Sequence, residues 1–249
     1  MAFGDSFSDN GFGNGHGFER YSNTFSWVEY LTRLLGLGSN HDVRAWGGAM
    51  SDHRNCNVTG EQWSGLSWQI DEYLESLSVG TDIPTVLFTI KVGSNDFWGG
   101  QTDPAVTAAN IRAAMIKLAE KGARHILYRE TSAVIMAPGY LSGEWAHYGE
   151  GWAKQVNCVN AITRDVIRNG LPLEFPSVNL YYHETDPVFT KIKHGEKGFE
   201  FKIFDVSWKG TFTFPKPNLY MWWDDFHPMG EVHRLWAEDS YEAFKSALK

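Results

Sequence analysis

A chain of 249 residues, 43% of them hydrophobic, is long enough to bury a full core and fits one large domain or two small ones. Its formal net charge of −8 leaves no basic footprint, so a nucleic-acid partner is excluded. No apolar run approaches the length of a membrane span, and no integral membrane segment is expected. The aromatic load is high, with 11 Trp, 16 Phe and 10 Tyr. Such rings fill cores and also line sites for apolar chains or sugar rings. Cys56 and Cys158 show no metal-ligand spacing; one long-range disulfide and two buried thiols are both compatible with them. Asn57-Val58-Thr59 is a glycosylation sequon, a pattern that also arises by chance.

Only Met1-Ala2-Phe3 precede the first turn, which is short for a core strand. The expectation is a secreted or extracytoplasmic chain whose leader was removed and Met1 added. The alternative is a cytoplasmic start with a stunted strand. The turn itself runs Gly4-Asp5-Ser6-Phe7-Ser8-Asp9-Asn10-Gly11. Gly tolerates unusual backbone angles, and Asp and Asn bond nearby backbone N–H groups. A serine on such a turn is presented with free N–H groups around it. Residues 11–17 are glycine-rich, yet match neither the dinucleotide nor the P-loop spacing. They read as a loop beside the serine, with His16 as a solvated loop histidine rather than a base.

Trp27, Leu31, Leu34 and Leu35 fall at helical spacing over 25–35, and Gly36 and Gly38 stop that helix. Residues 42–46 read as a short strand running into Gly47-Gly48-Ala49-Met50-Ser51. A helix over 66–77 carries Leu66, Ile70, Leu74 and Leu77 on one face. Residues 85–92 are a nearly continuous apolar, β-branched run, as expected of a strand buried on both faces. It ends at Gly93-Ser94-Asn95-Asp96. A helix over 105–121, a strand over 125–130, a long helical segment over 145–169 and a strand over 177–182 follow. Residues 191–220 break the pattern with alternating aromatics at 199–204 and 211–214, a hairpin or a decorated loop. A helix over 231–247 closes the chain. Strands alternating with helices predict a parallel sheet covered on both faces. Without repeats, low-complexity tracts or long linkers, residues 1–249 read as a single domain.

In open parallel sheets, sites form at the C-terminal ends of strands. Here those ends carry Ser6, Gly47-Gly48 and Asn95. A further polar cluster, Trp222-Trp223-Asp224-Asp225-Phe226-His227-Pro228, lies near the C-terminus. Brought together, these make a hydrolytic set. Ser6 would be the nucleophile, His227 the general base, and Asp224 the acid that holds the imidazole tautomer. The N–H groups of Ser6 and Gly48 and the Asn95 amide would be oxyanion donors. Residues three apart can face the same way within one turn, and Pro228 would stiffen that turn. Each piece has an ordinary alternative: Asn95-Asp96 as a helix cap, Asp224-Asp225 as a solvated pair, Gly47-Gly48 as a tight connection.

Gly4-Asp5-Ser6, Gly48, Gly93-x-Asn95-Asp96 and Asp224-x-x-His227 resemble, in order, the four motif blocks of the SGNH/GDSL esterases and lipases. Tyr21-Ser22-Asn23, Trp27-Val28-Glu29-Tyr30-Leu31, Gly47-Gly48-Ala49 and Gly122-Ala123-Arg124 look like the GDSL lipase branch. The resemblance spans nearly the whole chain. It implies a three-layer α/β/α sandwich with a parallel flavodoxin-like sheet. It also implies ester hydrolysis without metal or cofactor by Ser6, Gly48, Asn95 and His227, with Asp224 as the orienting acid. Phe7 stands where that family usually has Leu, and Asp225 competes on paper with Asp224. Phe97, Trp98, Trp222 and Trp223 flank motif residues and are candidates for lining the acyl or alcohol pocket. Residues 191–220 and the region around Trp145 and Trp152 carry no motif and are candidates for substrate-specific decoration.

The expected function is a serine-dependent carboxylic ester hydrolase, an esterase or lipase working through an acyl-enzyme on Ser6. Its partner would be a small-molecule, lipid or acylated-sugar ester. The Trp-rich surroundings raise a carbohydrate O-acetylesterase as the alternative. A non-catalytic glycan-binding module on the same fold is a further reading, opposed by the intact set of Ser6, Asn95, Asp224 and His227.

Overall fold

β1 (Ala2–Gly4) is three residues long, yet it is paired on both sides. Residues 42–46 run along one edge: Ala2 N donates to Asp42 O (2.9 Å), Arg44 N to Ala2 O (2.8 Å) and Trp46 N to Gly4 O (3.0 Å). The strand expected there is present as an edge run with a single bridge, Ala2 to Val43, rather than as a full ladder. The other edge of β1 pairs in parallel with β2 (Leu87–Lys91). The computed structural model describes residues 1–11, 15–38, 40–58, 60–132, 137–195, 201–209, 211 and 216–247.

The helices fall between the strands, as the alternating pattern requires. α1 (Trp27–Leu34) starts at Ser26, whose N–H is bonded by Glu29 Oε2 at 2.7 Å. α2 (Leu66–Glu75) precedes β2; α3 (Asn95–Trp98) and α4 (Pro104–Glu120) follow it. Asp103 caps α4 by accepting from Ala105 N at 2.9 Å, with Pro104 in the first turn where no N–H is needed. Then come β3 (His125–Arg129), α5 (Pro138–Leu141), α6 (Gly149–Asp165), α7 (Leu171–Glu174), β4 (Asn179–His183) and α8 (Asp186–Lys193). β5 (Ile203–Ser207), β6 (Tyr220–Trp222) and α9 (Gly230–Ala247) complete the chain.

β2 pairs with β3 and β3 with β4, all parallel. Counting the edge run at 42–46, the strand order in chain sequence is 2-1-3-4-5, that of flavodoxin-like sheets. Successive side chains alternate across the sheet. Ala2 and Leu127 join Trp27, Leu31, Phe189 and Trp236 beneath α1, α8 and α9. Phe3, Ile126 and Tyr128 join Leu66, Ile70, Ile111, Met115 and Val159 beneath α2, α4, α6 and α7. The three-layer α/β/α architecture is therefore the one the alternation predicts.

The first of these layers also buries cations. Arg129, fully buried at the end of β3, donates to Trp236 O (3.0 Å) and Ser240 Oγ (2.7 Å) and meets His183 Nδ1 at 2.6 Å. It ties α9 to the sheet. Burial pulls its guanidinium down to about 9, even with Asp239 and Glu130 nearby. The stretch 191–220 departs from the hairpin expectation. β5 and β6 pair in parallel, whereas a hairpin sets its strands antiparallel. The glycine-rich residues 12–14, and Phe199, Glu200 and 212–214 of the alternating aromatics, lie outside the described residues. Among the described residues no helix is long and apolar enough to cross a membrane.

Candidate active site

β1 ends at Gly4 with φ +148°, and a side chain there would sit 2.2 Å from Lys91 O. Only glycine lets the chain leave the sheet at that point. Asp5 then closes the turn. Its carbonyl accepts Ser8 N (2.9 Å) and Asp9 N (3.0 Å), and its Oδ1 accepts Phe7 N (3.1 Å). Ser6 is left at the crest of the turn. From the far end of the chain, Asp224 Oδ1 accepts the N–H of Phe226 (2.9 Å) and of His227 (2.8 Å). Those bonds fold the Asp-x-x-His segment so that the carboxylate reaches its own histidine. His227 Nδ1 lies 2.8 Å from Asp224 Oδ1 and 3.0 Å from Oδ2. His227 Nε2 lies 2.8 Å from Ser6 Oγ. The ring is held between Phe7, 5.3 Å away by centroids, and Tyr21 at 4.8 Å.

Burial pushes the Asp224 carboxyl up, but its bond to His227, the attraction to that ring and the two backbone N–H groups outweigh burial. The carboxyl ends below its ordinary value. An ionised Asp224 accepts from Nδ1–H, which leaves Nε2 as the acceptor facing Ser6. Asp225 faces elsewhere: its carboxylate accepts from Ser207 Oγ at 2.9 Å. Of the two acids, Asp224 is the one whose carboxylate meets the His227 ring.

Gly48 has φ +80°, which a side chain would strain, and its N–H has no protein acceptor among the described residues. The same holds for Ser6 N. Asn95 Nδ2 donates one hydrogen to Ala49 O at 3.1 Å and keeps a second. Ser6, Gly48, Asn95 and His227 all line one cavity of about 390 Å³. Next to them, buried Asp9 accepts the N–H of Gly47 at 2.8 Å. Burial raises its carboxyl to about 6, against the backbone N–H groups of Phe18, Gly11 and Gly47. The native state thus holds this proton up to about pH 6, whereas an unfolded Asp releases it near pH ~4. Ionising Asp9 therefore costs stability as pH rises from ~4 to ~6, and the cost is complete above that window. The Tm of the wild type relative to Asp9→Asn is expected to fall over the same range. A difference that does not vary with pH would contradict this.

Aromatic rings dominate the rest of the cavity: Trp98, Tyr140, Trp145, Trp152, Phe189, Trp222 and Phe226. Tyr140 stacks on Trp152 at 4.6 Å and meets Phe226 edge-on at 5.3 Å. Of the flanking aromatics expected to line it, Trp98 and Trp222 do. Phe97 stands edge-on behind Trp98, and Trp223 stacks on Trp208 at 5.3 Å; neither lines the cavity. Trp222 and Trp223 are consecutive at the end of a strand and point opposite ways. Trp145 and Trp152 do reach the cavity, whereas no described residue of 191–220 does. His16 sits edge-on to Trp46 and is not among the residues that line the cavity. Cys56 and Cys158 are separate free thiols, and Cys56 lines the cavity. Asn57 of the sequon lines it too, with its amide against Gly48. Tyr21, Tyr140, Phe189 and Phe226 line the cavity as well. Tyr21 carries a signal in Tyr21-Ser22-Asn23, and Phe226 in its place beside His227; Tyr140 and Phe189 reach the cavity only through tertiary packing.

The sequence profile described as GDSL-like lipase/acylhydrolase matches residues 1–240. The thermolabile hemolysin of Vibrio parahaemolyticus is 21% identical over 275 aligned positions, covering 98% of this chain and 63% of the hemolysin. The chain thus spans less than two thirds of the length of this relative. A family two carbohydrate esterase from Clostridium thermocellum, solved with cellohexaose, superposes with a TM-score of 0.53 at 18% identity. An active-site mutant of such an esterase from the same organism superposes with a TM-score of 0.57 at 15% identity. Each superposition covers 99% of this chain and 63% of the other. At these identities the likeness speaks for the fold.

Proposed function

Because the chain belongs to the GDSL-like lipase/acylhydrolase family, we propose that it hydrolyses carboxylic esters through an acyl-enzyme on Ser6. The observation that carries this reading is the continuous relay from Asp224 through His227 to Ser6 Oγ, each link at 2.8 Å. In this mechanism Ser6 Oγ attacks the ester carbonyl as His227 Nε2 takes its proton. Asp224 stabilises the imidazolium without taking the proton. Negative charge gathers on the carbonyl oxygen, where Ser6 N–H, Gly48 N–H and the spare hydrogen of Asn95 Nδ2 receive it. His227 then protonates the departing alkoxide, leaving the acyl group on Ser6. Water, deprotonated by the same His227, attacks the acyl-enzyme; the acid departs and Ser6 regains its proton. No redox step or cofactor enters the balance.

The aromatic walls favour a second reading in which the ester is borne by a sugar, because pyranose rings pack their C–H faces on Trp and Tyr. That reading makes the protein a carbohydrate O-acetylesterase. A panel of p-nitrophenyl esters of increasing acyl length, run beside acetate release from acetylated glycans, separates the two. Preference for longer acyl chains supports the esterase or lipase reading. Acetate release from glycans faster than from p-nitrophenyl acetate supports the sugar ester. No turnover of any ester would overturn both and leave the glycan-binding module.

A further inference from the structure

The loop that carries Gly48 is anchored at both ends by buried carboxylates. Asp9, 1% exposed, accepts Gly47 N (2.8 Å) and Phe18 N (3.0 Å) on Oδ2, and Gly11 N (2.9 Å) on Oδ1. Asp96, also 1% exposed, accepts Ser51 N (3.0 Å) on Oδ2. Its Oδ1 takes the hydroxyls of Ser51 (2.5 Å) and Thr107 (3.2 Å). Residues 48–50 lie between these anchors. They include the Gly48 N–H, which has no acceptor among the described residues, and the Ala49 carbonyl that holds the Asn95 amide. Neither Asp9 nor Asp96 lines the cavity, so neither touches substrate.

Each carboxylate comes from a segment that supplies another part of the site: Asp9 from the turn of Ser6, Asp96 from beside Asn95. Above about pH 6, where Asp9 is ionised, bonds from backbone N–H to its carboxylate are about twice as strong as neutral ones. Two such anchors across so short a loop leave its backbone little freedom to rotate. A donor of this kind acts only when held within roughly 0.5 Å of the developing charge.

We propose that Asp9 and Asp96 are positioning residues that clamp the 47–51 loop, so that the Gly48 N–H is held against the reacting carbonyl oxygen. The inference rests on Gly48 being an oxyanion donor in an ester hydrolase. Asp9 fixes the entry to the loop and Asp96 its exit. Ser6, Gly48 and Asn95, supplied by separate segments, are thereby set relative to one another by side chains that never meet the ester.

Asp9→Asn tests the clamp with little change in size. Its amide nitrogen must replace one carboxylate oxygen, and so must face an N–H donor. The folded variant is expected to lose roughly 10-fold or more in kcat on p-nitrophenyl acetate, with KM within about twofold. Affinity for phenylboronic acid, whose tetrahedral adduct on Ser6 mimics the oxyanion, should fall by the same factor as kcat/KM. Ser51→Ala, which removes the hydroxyl held by Asp96, should shift both quantities together in the same direction. A folded Asp9→Asn with wild-type kcat, or one whose kcat falls while boronate affinity stays, overturns the proposal. If Asp9→Asn does not fold, Ser51→Ala decides: unchanged kcat and boronate affinity overturn it. Failure of the wild type to hydrolyse the ester would instead overturn the ester-hydrolase reading beneath it.

Discussion

Replacing Ser6 by alanine is expected to abolish turnover of p-nitrophenyl esters while leaving the fold intact. Ser6 sits at the crest of a turn held by Asp5, and its hydroxyl bonds only His227 among the described residues. Asp224→Asn is expected to lower kcat by ~10⁴-fold, because an amide there favours the wrong imidazole tautomer and cannot stabilise the imidazolium. Asp225→Asn is the contrast. That carboxylate faces Ser207 rather than His227, so its loss should leave kcat nearly unchanged. Equal losses at 224 and 225 would contradict the relay. So would a kcat for Asp224→Asn within a few-fold of the wild type.

The second large effect concerns stability. Lys91 and Asp5 form an ion pair at 3.2 Å, and their side chains are 1% and 0% exposed. The Lys91 ammonium also stands 3.9 Å above the ring of Phe7, which in turn packs on His227. Burial pushes the Lys91 ammonium below its ordinary value, against the attraction and hydrogen bond of Asp5. Lys91→Met leaves Asp5 charged and buried without its cation, so the fold is expected to lose about 3–5 kcal/mol. The double variant Asp5→Asn/Lys91→Met removes both charges together and should regain most of that loss. Urea unfolding of the two single variants and the double variant measures the coupling directly. A Lys91→Met stability within about 1 kcal/mol of the wild type would contradict the account, as would simple additivity of the two substitutions.

The alternation of strands and helices was legible because it depends on local periodicity, and the sheet then follows from pairing parallel strands. The relay was legible for a different reason. Gly beside polar residues at strand ends marks where a parallel sheet presents chemistry, and Asp224-x-x-His227 carries its own geometry within one turn. Lys91 was not legible. In sequence it is one polar residue within an apolar run, and only the pleat reveals that it points beneath Phe7 toward Asp5. Asp9 and Asp96 looked like ordinary turn and cap residues, because the N–H groups of Gly47 and Ser51 that they hold are about forty residues away. The parallel pairing of β5 and β6 escaped for the same reason, since alternating aromatics do not reveal strand direction. Tyr140 and Trp152 come from segments without a motif, so their part of the cavity wall is a product of packing.

The central claim is that Ser6, activated by His227, is the nucleophile. Labelling with a fluorophosphonate probe, followed by mass spectrometry of the peptide that carries the adduct, tests it most directly. The account predicts one adduct, on Ser6, that is absent in Ser6→Ala and forms far more slowly in His227→Ala. An unlabelled Ser6 in folded protein, or labelling at an undiminished rate in His227→Ala, would contradict it.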